Sequence, residues 1–437
     1  MPFFRQSLIW TVPVIFLLLV IVLLPFEHIP TYRFDGYTIK LSYLASIACL
    51  LSLSLQRPWI WLKRFPISMA ERALIVFSIY SAFLALTIAP DRTRSVIFVL
   101  IWTFVFLMSS VASRLLADPR VRLVAEHLLL GVTALVCLFG IYQYLGDSFG
   151  LPADLTGLRL AYTKMVFGFP RIQSVALEPL YFSNYLLVPL FLCAYRFLRH
   201  PRPGKYFLLL ILIVLNLTLG ISRGAYAAAV VGSVLLTIFL LLNKAPTIRR
   251  IRIFQATFAV GLAVLLAVLG IYGINGKKAS SNFVGHALVA DAPKEASVQD
   301  RFSTDRQAWR FFLQRPLTGF GPSSFGILSE TSPEDQRRVG YGIVNNEYLE
   351  LLVETGALGF IVFLTFLIAT AVAYFKRLPL LVLDDRLHSF CYFCGIVGIL
   401  IQYNFFSTLY ILYIWIFIGM LNSFVRQQET VESVAKV

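Results

Sequence analysis

Long apolar runs recur along the chain between short polar connectors, without the strict alternation of a half-buried strand. A helix that crosses a bilayer needs about 20 such residues at 1.5 Å rise each. Twelve segments fit, at approximately 8–26, 38–55, 71–89, 95–113, 123–145, 180–198, 206–221, 224–242, 254–274, 349–374, 388–403 and 407–424. Lipid cannot satisfy open backbone groups, so these runs are predicted to be helices rather than barrel strands. The first, Leu8 to Pro25, follows only Arg5 and ends without a small-residue cleavage site. It reads as a retained span rather than a signal peptide.

The connectors divide by charge. One side holds 21 Lys and Arg, including Arg57, Lys63, Arg64, Arg196, Lys244 and Arg249. The short loops of the other side hold 8: Arg33, Lys40, Arg92, Arg94, Arg159, Lys164, Arg171 and Arg223. The positive-inside rule then predicts that both termini are cytoplasmic and that residues 275–348 are extracytoplasmic. That segment is too long for a plain connector. Gln299 to Gln314 has helix-like patterning, with Phe302, Trp309, Phe312 and Leu313 apolar, and the breakers Pro316, Gly319, Gly321 and Pro322 follow. A folded cap of short helices is expected. The resulting division is 1–145 (N-terminal spans), 146–179 (outer loop), 180–274 (central spans), 275–348 (large outer loop), 349–424 (C-terminal spans) and 425–437 (tail).

Composition narrows the class. Of 437 residues, 58% are hydrophobic and 14% charged, against roughly 25% charged in a soluble domain. With a mean hydropathy of +0.77, this describes an all-α polytopic membrane protein. The net charge of +15 would suggest nucleic acid in a soluble chain, but its placement makes it a topology signal, and no nucleic-acid partner is expected. Cys49, Cys137, Cys193, Cys391 and Cys394 lie in apolar stretches as small hydrophobes, and the CxxC pair at 391 and 394 lacks a second ligand pair. The five histidines have no metal-ligand spacing, and the phosphate-loop, dinucleotide, HExxH and GxSxG patterns are absent. Neither a metal nor a cofactor is expected.

Chemistry-bearing residues gather on the outer side. Arg223 lies in the short turn Ile221-Ser222-Arg223-Gly224-Ala225 between the seventh and eighth spans. Its planar fork suits a lipid phosphate, and snorkelling to headgroups explains the same position equally well. Arg301 and Arg306 lie on the cap helix, and Arg171 precedes Glu178-Pro179 at the sixth span. Singly each is a solvated or salt-bridged residue, whereas together they make a diphosphate pocket. Asn345 or Asn346 can cap the tenth span, and Glu347, Glu350 and Glu354 follow on one helical face. Carboxylates at such depth point to function, or to an ion pair holding a cap arginine, the reading favoured for Glu354. Gly356 and Gly359 would let a neighbouring helix approach closely.

These pieces resemble the bacterial O-antigen ligase and polysaccharide polymerase superfamily over roughly residues 165–420. The resemblance rests on Arg171 to Pro179, on Ser222-Arg223-Gly224, on Arg301 through Trp309 to Pro316-Leu317-Thr318-Gly319-Phe320-Gly321, and on Asn346, Leu349, Leu352, Glu354, Gly356 and Gly359 in their spacing. It implies a GT-C-like inner-membrane glycosyltransferase that uses undecaprenyl-diphosphate-linked glycan donors and a glycan or glycolipid acceptor. It also implies phosphate-binding roles for Arg223 and for Arg306 or Arg301. Where the family often has His before the Asn of its last motif, this chain has Asn345, which cannot act as a base at neutral pH. Acceptor activation then falls to a carboxylate such as Glu347 or Glu178, or to positioning by Asn345 and Asn346, and polymerase is favoured slightly over ligase. A flippase or transporter of lipid-linked sugars would also have about twelve spans, but with ionisable or broken positions near mid-bilayer in matched halves.

Overall fold

The computed structural model describes residues 12–28, 32–34, 37–55, 66–157, 165–166, 168–243, 250–287, 296–329 and 342–435. Residues 8–11, 288–295 and 330–341, and Arg5, Arg57, Lys63, Arg64, Arg159, Lys164, Lys244 and Arg249, lie outside them. Among the described residues the long elements are helices: α1 Val12–Leu23, α2 Leu41–Leu55, α3 Met69–Thr87, α4 Arg92–Leu115, α5 Pro119–Ser148, α6 Pro179–Arg199, α7 Gly204–Leu219, α8 Arg223–Leu242, α9 Arg250–Asn275, α10 Lys277–Ala287, α11 Ala296–Gln314, α12 Glu347–Arg377, α13 Leu383–Gln402 and α14 Leu412–Ala435. The strands are two short antiparallel ladders, β1 (Tyr32–Phe34) with β2 (Tyr37–Ile39) and β3 (Met165–Val166) with β4 (Phe169–Pro170).

Among the described residues each of the twelve expected spans overlaps a helix, though 407–411 precede α14 as a turn, and α10 and α11 lie within 275–348. Among the described residues seven helices, α3, α4, α5, α6, α8, α9 and α12, are long and apolar enough to cross a membrane, α1, α2 and α7 are shorter apolar helices, and α13 and α14 fall in neither group. Local signals set many boundaries. Ser68 and Glu71 form a reciprocal capping box at α3. Asp118 caps α5 ahead of Pro119, and Pro179 opens α6, where its missing N–H costs nothing.

The helices divide into two compact units. The first contains α1, α2, α5 to α10 and most of α13. Its centre is α6, buried along nearly its whole length and packed on α7. The second contains α3, α4, α11, α12 and α14. There α12 packs on α3, α11 and α14. Its aromatic core sets Phe106 4.3 Å and Phe366 5.5 Å from Trp415 between ring centroids.

Candidate functional site

In the first unit, Arg171 and Arg223 flank one turn. Arg171 Nε donates to the carbonyl of Gly220 at 2.9 Å, and Ile172 N–H donates to Leu219 at 3.4 Å. Gly220 has no room for a side chain, because a Cβ there would lie 2.6 Å from Ser183 Oγ in the first turn of α6. Ser222 accepts from the Ala225 N–H as the α8 cap, which makes Arg223 the first residue of a 20-residue helix. Tyr226 closes the turn by donating to the Thr218 carbonyl at 2.6 Å.

The 171–178 loop is held from behind. Gln143 Oε1 accepts from the N–H groups of Gln173 and Ser174 at 2.8 and 2.9 Å, and its Nε2 donates to Thr156 at 2.9 Å. Ser174 Oγ donates to Val136 at 2.7 Å, and the Val175 carbonyl accepts from His28 N–H at 2.9 Å. The loop ends at Glu178, which stands at the N-cap of α6 without capping it through its side chain and is partly exposed.

In the second unit the two most specific motifs bind each other. α12 is broken at Gly356, whose φ of 64° and ψ of −176° lie in a region essentially closed to other residues. The segment Pro316–Gly321 fills the break. Phe320 and Gly321 N–H donate to the carbonyls of Val353 and Glu354 at 2.9 and 2.8 Å, and Ala357 and Leu358 N–H donate to those of Pro316 and Leu317 at 2.8 and 3.3 Å. Every backbone group opened by the kink at these four positions is thereby paired, as burial demands. Tyr80 of α3 donates to the Thr355 carbonyl at 3.1 Å. Gly356 therefore serves a backbone break rather than the approach of a neighbouring helix, whereas Gly359 does face Tyr80 of α3.

The carboxylates of α12 are engaged by backbone amides. Asn346 caps the helix by accepting from Leu349 N–H at 3.3 Å. Glu347, 2% exposed, accepts from the N–H groups of Thr408 and Leu409, the latter at 3.0 Å. Glu350 accepts from Val344 N–H at 2.9 Å. Among the described residues, Glu354 is engaged by the backbone N–H groups of Ser323 and Phe325, and the cap arginines at 337 and 338, which the ion-pair reading would use, lie outside those residues. The segment inserted at Gly356 continues directly into residues 322–325, which brings these amide donors to Glu354.

In the sequence Arg94 reads only as a topology charge. It anchors that continuation, donating from Nε to Ser323 Oγ at 2.8 Å, while Ser95 donates to the Pro322 carbonyl at 2.6 Å. Its presence in the basic-poor set of loops was the one available signal. On α11, Arg301 lies beside Asp305, whose carboxyl burial raises above the ordinary aspartate range against the pull of Arg301. Arg306 points from the exposed side of the same helix.

Among the described residues the non-glycine residues in the left-handed region are Ser174, Ile221, Ser323 and Asn345. Each falls in or beside one of the four motif segments: the 171–179 loop, the 221–225 turn, the continuation of 316–321, and the residue ahead of Asn346. Such strain persists only where the surroundings over-determine it, and it concentrates at functional sites.

No curated protein matches the chain. Residues 208–364, from α7 into α12, match the family model described as O-antigen ligase, and on that stretch, which holds Arg223, Arg301, Arg306, Asn345, Asn346 and Glu347, the chain is similar to the O-antigen ligase and polysaccharide polymerase superfamily.

Proposed function

We propose that this protein is an inner-membrane glycosyltransferase of the O-antigen ligase or polymerase type, which moves a glycan from undecaprenyl diphosphate to an acceptor hydroxyl at the periplasmic face. The observation that carries the reading is the concentration of left-handed, non-glycine backbone in the four motif segments. The match over residues 208–364 supports the reaction class.

In this reading Arg223, at the N-terminus of α8, and Arg171, tied to the same turn, bind the diphosphate leaving group; a helix N-terminus adds partial positive charge. Arg306, and secondarily Arg301, on α11 are the phosphate-binding arginines that the resemblance assigns to the second unit. The acceptor oxygen attacks the anomeric carbon from the face opposite the diphosphate, and the bond to the phosphate oxygen breaks with its electron pair leaving on the diphosphate. The configuration inverts. Glu178 takes the hydroxyl proton, since its carboxylate is partly exposed and leaves the α6 cap unused. Glu347, Asn345 and Asn346 position the acceptor-side loop. The guanidinium groups supply the electrostatic stabilisation of the departing charge. The absence of the family's histidine at Asn345 favours polymerisation over ligation.

The test is turnover of purified protein in nanodiscs with lipid-linked donor. Arg223→Lys keeps the charge and loses the fork, so both it and Arg223→Ala are expected to lose activity. A charged hydrogen bond contributes about 1.5–3 kcal/mol, hence roughly ten- to hundredfold in rate. Near wild-type turnover for both variants removes Arg223 from the site. In a deletion strain, single repeat units left on the acceptor identify a polymerase, and accumulated lipid-linked long chains identify a ligase.

A further inference from the structure

Helix α11 has two apolar faces. One packs into the core of its unit, where buried Ala308 and partly buried Phe311 and Phe312 meet Phe325, Val344 and Val353. The other is open: Phe302 is 59%, Trp309 47% and Leu313 59% exposed. Positions 302, 306, 309 and 313 are spaced by 4, 3 and 4, so Arg306 sits inside this second stripe and Arg310 borders it. Both arginines are exposed. Of the acids of the helix, Asp300 lies on the far side, and Asp305 borders the stripe opposite Arg310 with the charge of Arg301 acting on it, so the stripe itself is apolar with a cationic centre at Arg306.

A second observation fixes its height. The chain leaving α11 is hydrogen-bonded through residues 316–321 to Val353, Glu354, Ala357 and Leu358 of α12. Those residues lie about 9–17 Å along the helix from Glu347 at 1.5 Å per residue, within a helix long and apolar enough to cross a bilayer. The C-terminal end of α11 is thus tethered beside the start of 355–375, the uncharged apolar stretch of that helix, and Leu317 beside the tether is itself 63% exposed.

We infer that α11 is an interfacial helix that lies on an anionic bilayer surface, with Phe302, Trp309 and Leu313 inserted at the headgroup and acyl boundary and Arg306 and Arg310 on lipid phosphates. Aromatic and aliphatic side chains on one face with flanking arginines are the pattern that binds such a surface in plane. Arg306 is shared with the phosphate-binding role proposed above, but the depth of the helix is read without turnover, so the two readings are tested separately. The surface makes the depth of the cap helix responsive to the anionic lipid content of the membrane.

The test uses the full chain in nanodiscs of phosphatidylcholine with or without phosphatidylglycerol. Spin labels are placed at Phe302→Cys, Leu313→Cys and, as the aqueous control, Asp300→Cys; the five native cysteines are buried. At 302 and 313, collisions with oxygen should exceed those with a nickel chelate, at a depth of roughly 5–10 Å below the headgroup boundary, and 300 should show the reverse. Phosphatidylglycerol should increase the depth, and Arg306→Glu combined with Arg310→Glu should abolish that increase. Quenching of Trp309 by brominated lipid, measured against Trp309→Phe, reads the same depth without a label. Equal nickel access at all three positions overturns the inference, as does spin–spin broadening at 302 and 313, which would mark a second copy on this face. A depth indifferent to phosphatidylglycerol overturns the role given to the arginines.

Discussion

Arg171 Nε donates a hydrogen bond of 2.9 Å to the carbonyl of Gly220, 49 residues away in sequence. The contact ties the loop that ends at Glu178 to the turn that launches Arg223, so two arginines that are remote in the chain flank a single backbone turn.

Arg171→Lys keeps the positive charge but cannot reproduce an Nε–H in the plane of a fork. Loss of a charged hydrogen bond of about 1.5–3 kcal/mol should lower kcat/KM at least about tenfold with lipid-linked donor. Wild-type kcat/KM together with an unchanged melting temperature would show that the tie matters neither to turnover nor to the fold.

Gln143 is the hidden support of the same loop. Gln143→Leu strands the N–H groups of Gln173 and Ser174 and the carbonyl of Thr156, at about 1–3 kcal/mol for each buried group left unpaired. The thermal midpoint in lipid should fall clearly, with Gln143→Glu falling less because it keeps the acceptor oxygen. Equal midpoints for Leu and Glu would contradict the assigned hydrogen bonds.

The break in α12 requires glycine. A Cβ at Gly356 would lie 2.2 Å from the Leu317 carbonyl oxygen, and one at Gly319 2.5 Å from that of Val353, both at positive φ. Either substitution to Ala adds about 1–3 kcal/mol of backbone strain to a comparable overpacking cost. Yield of monodisperse protein and its unfolding midpoint should both drop, and wild-type stability for Gly356→Ala would mean that α12 runs unbroken.

At another place in the first unit Glu126, fully buried, is paired with Arg196, accepts from Tyr392 at 3.1 Å, and lies 2.8 Å from His388 Nε2. Removing one partner of a buried pair leaves an uncompensated charge and costs about 3–5 kcal/mol. Arg196→Ala should therefore destabilise more than Arg196→Leu combined with Glu126→Leu. The opposite order, read from unfolding midpoints, would show that the pair is a net stabiliser rather than a mutual obligation.

Topology is testable at Ser281, which is exposed on α10, whereas neighbouring Ser280 is buried. The basic bias of the connectors predicts that Ser281→Cys reacts with an impermeant thiol reagent in intact spheroplasts. Reaction only after membrane disruption would invert the orientation and remove the periplasmic mechanism.

The helices follow from local pattern alone. Span length, apolar runs and caps such as Ser68 with Glu71, Ser222 and Asn346 act within a turn or two of the residues that carry them, so among the described residues each of the twelve runs overlaps a helix. The sequence also marked the segments around Arg171, Arg223, Gly319 and Glu354. Their connections were decided by the tertiary structure. Gly356 reads as a close-approach glycine, yet it breaks α12, because a left-handed kink is stable only when another segment pairs the opened backbone, and Pro316–Gly321 arrives from a distant part of the chain. The carboxylates of Glu347 and Glu354 share a face in the sequence, but amides of residues 408–409 and of 323 and 325 engage them. Periodicity specifies which side of a helix a group occupies. Which donor meets it is set by packing between elements far apart in sequence, and no local pattern encodes that.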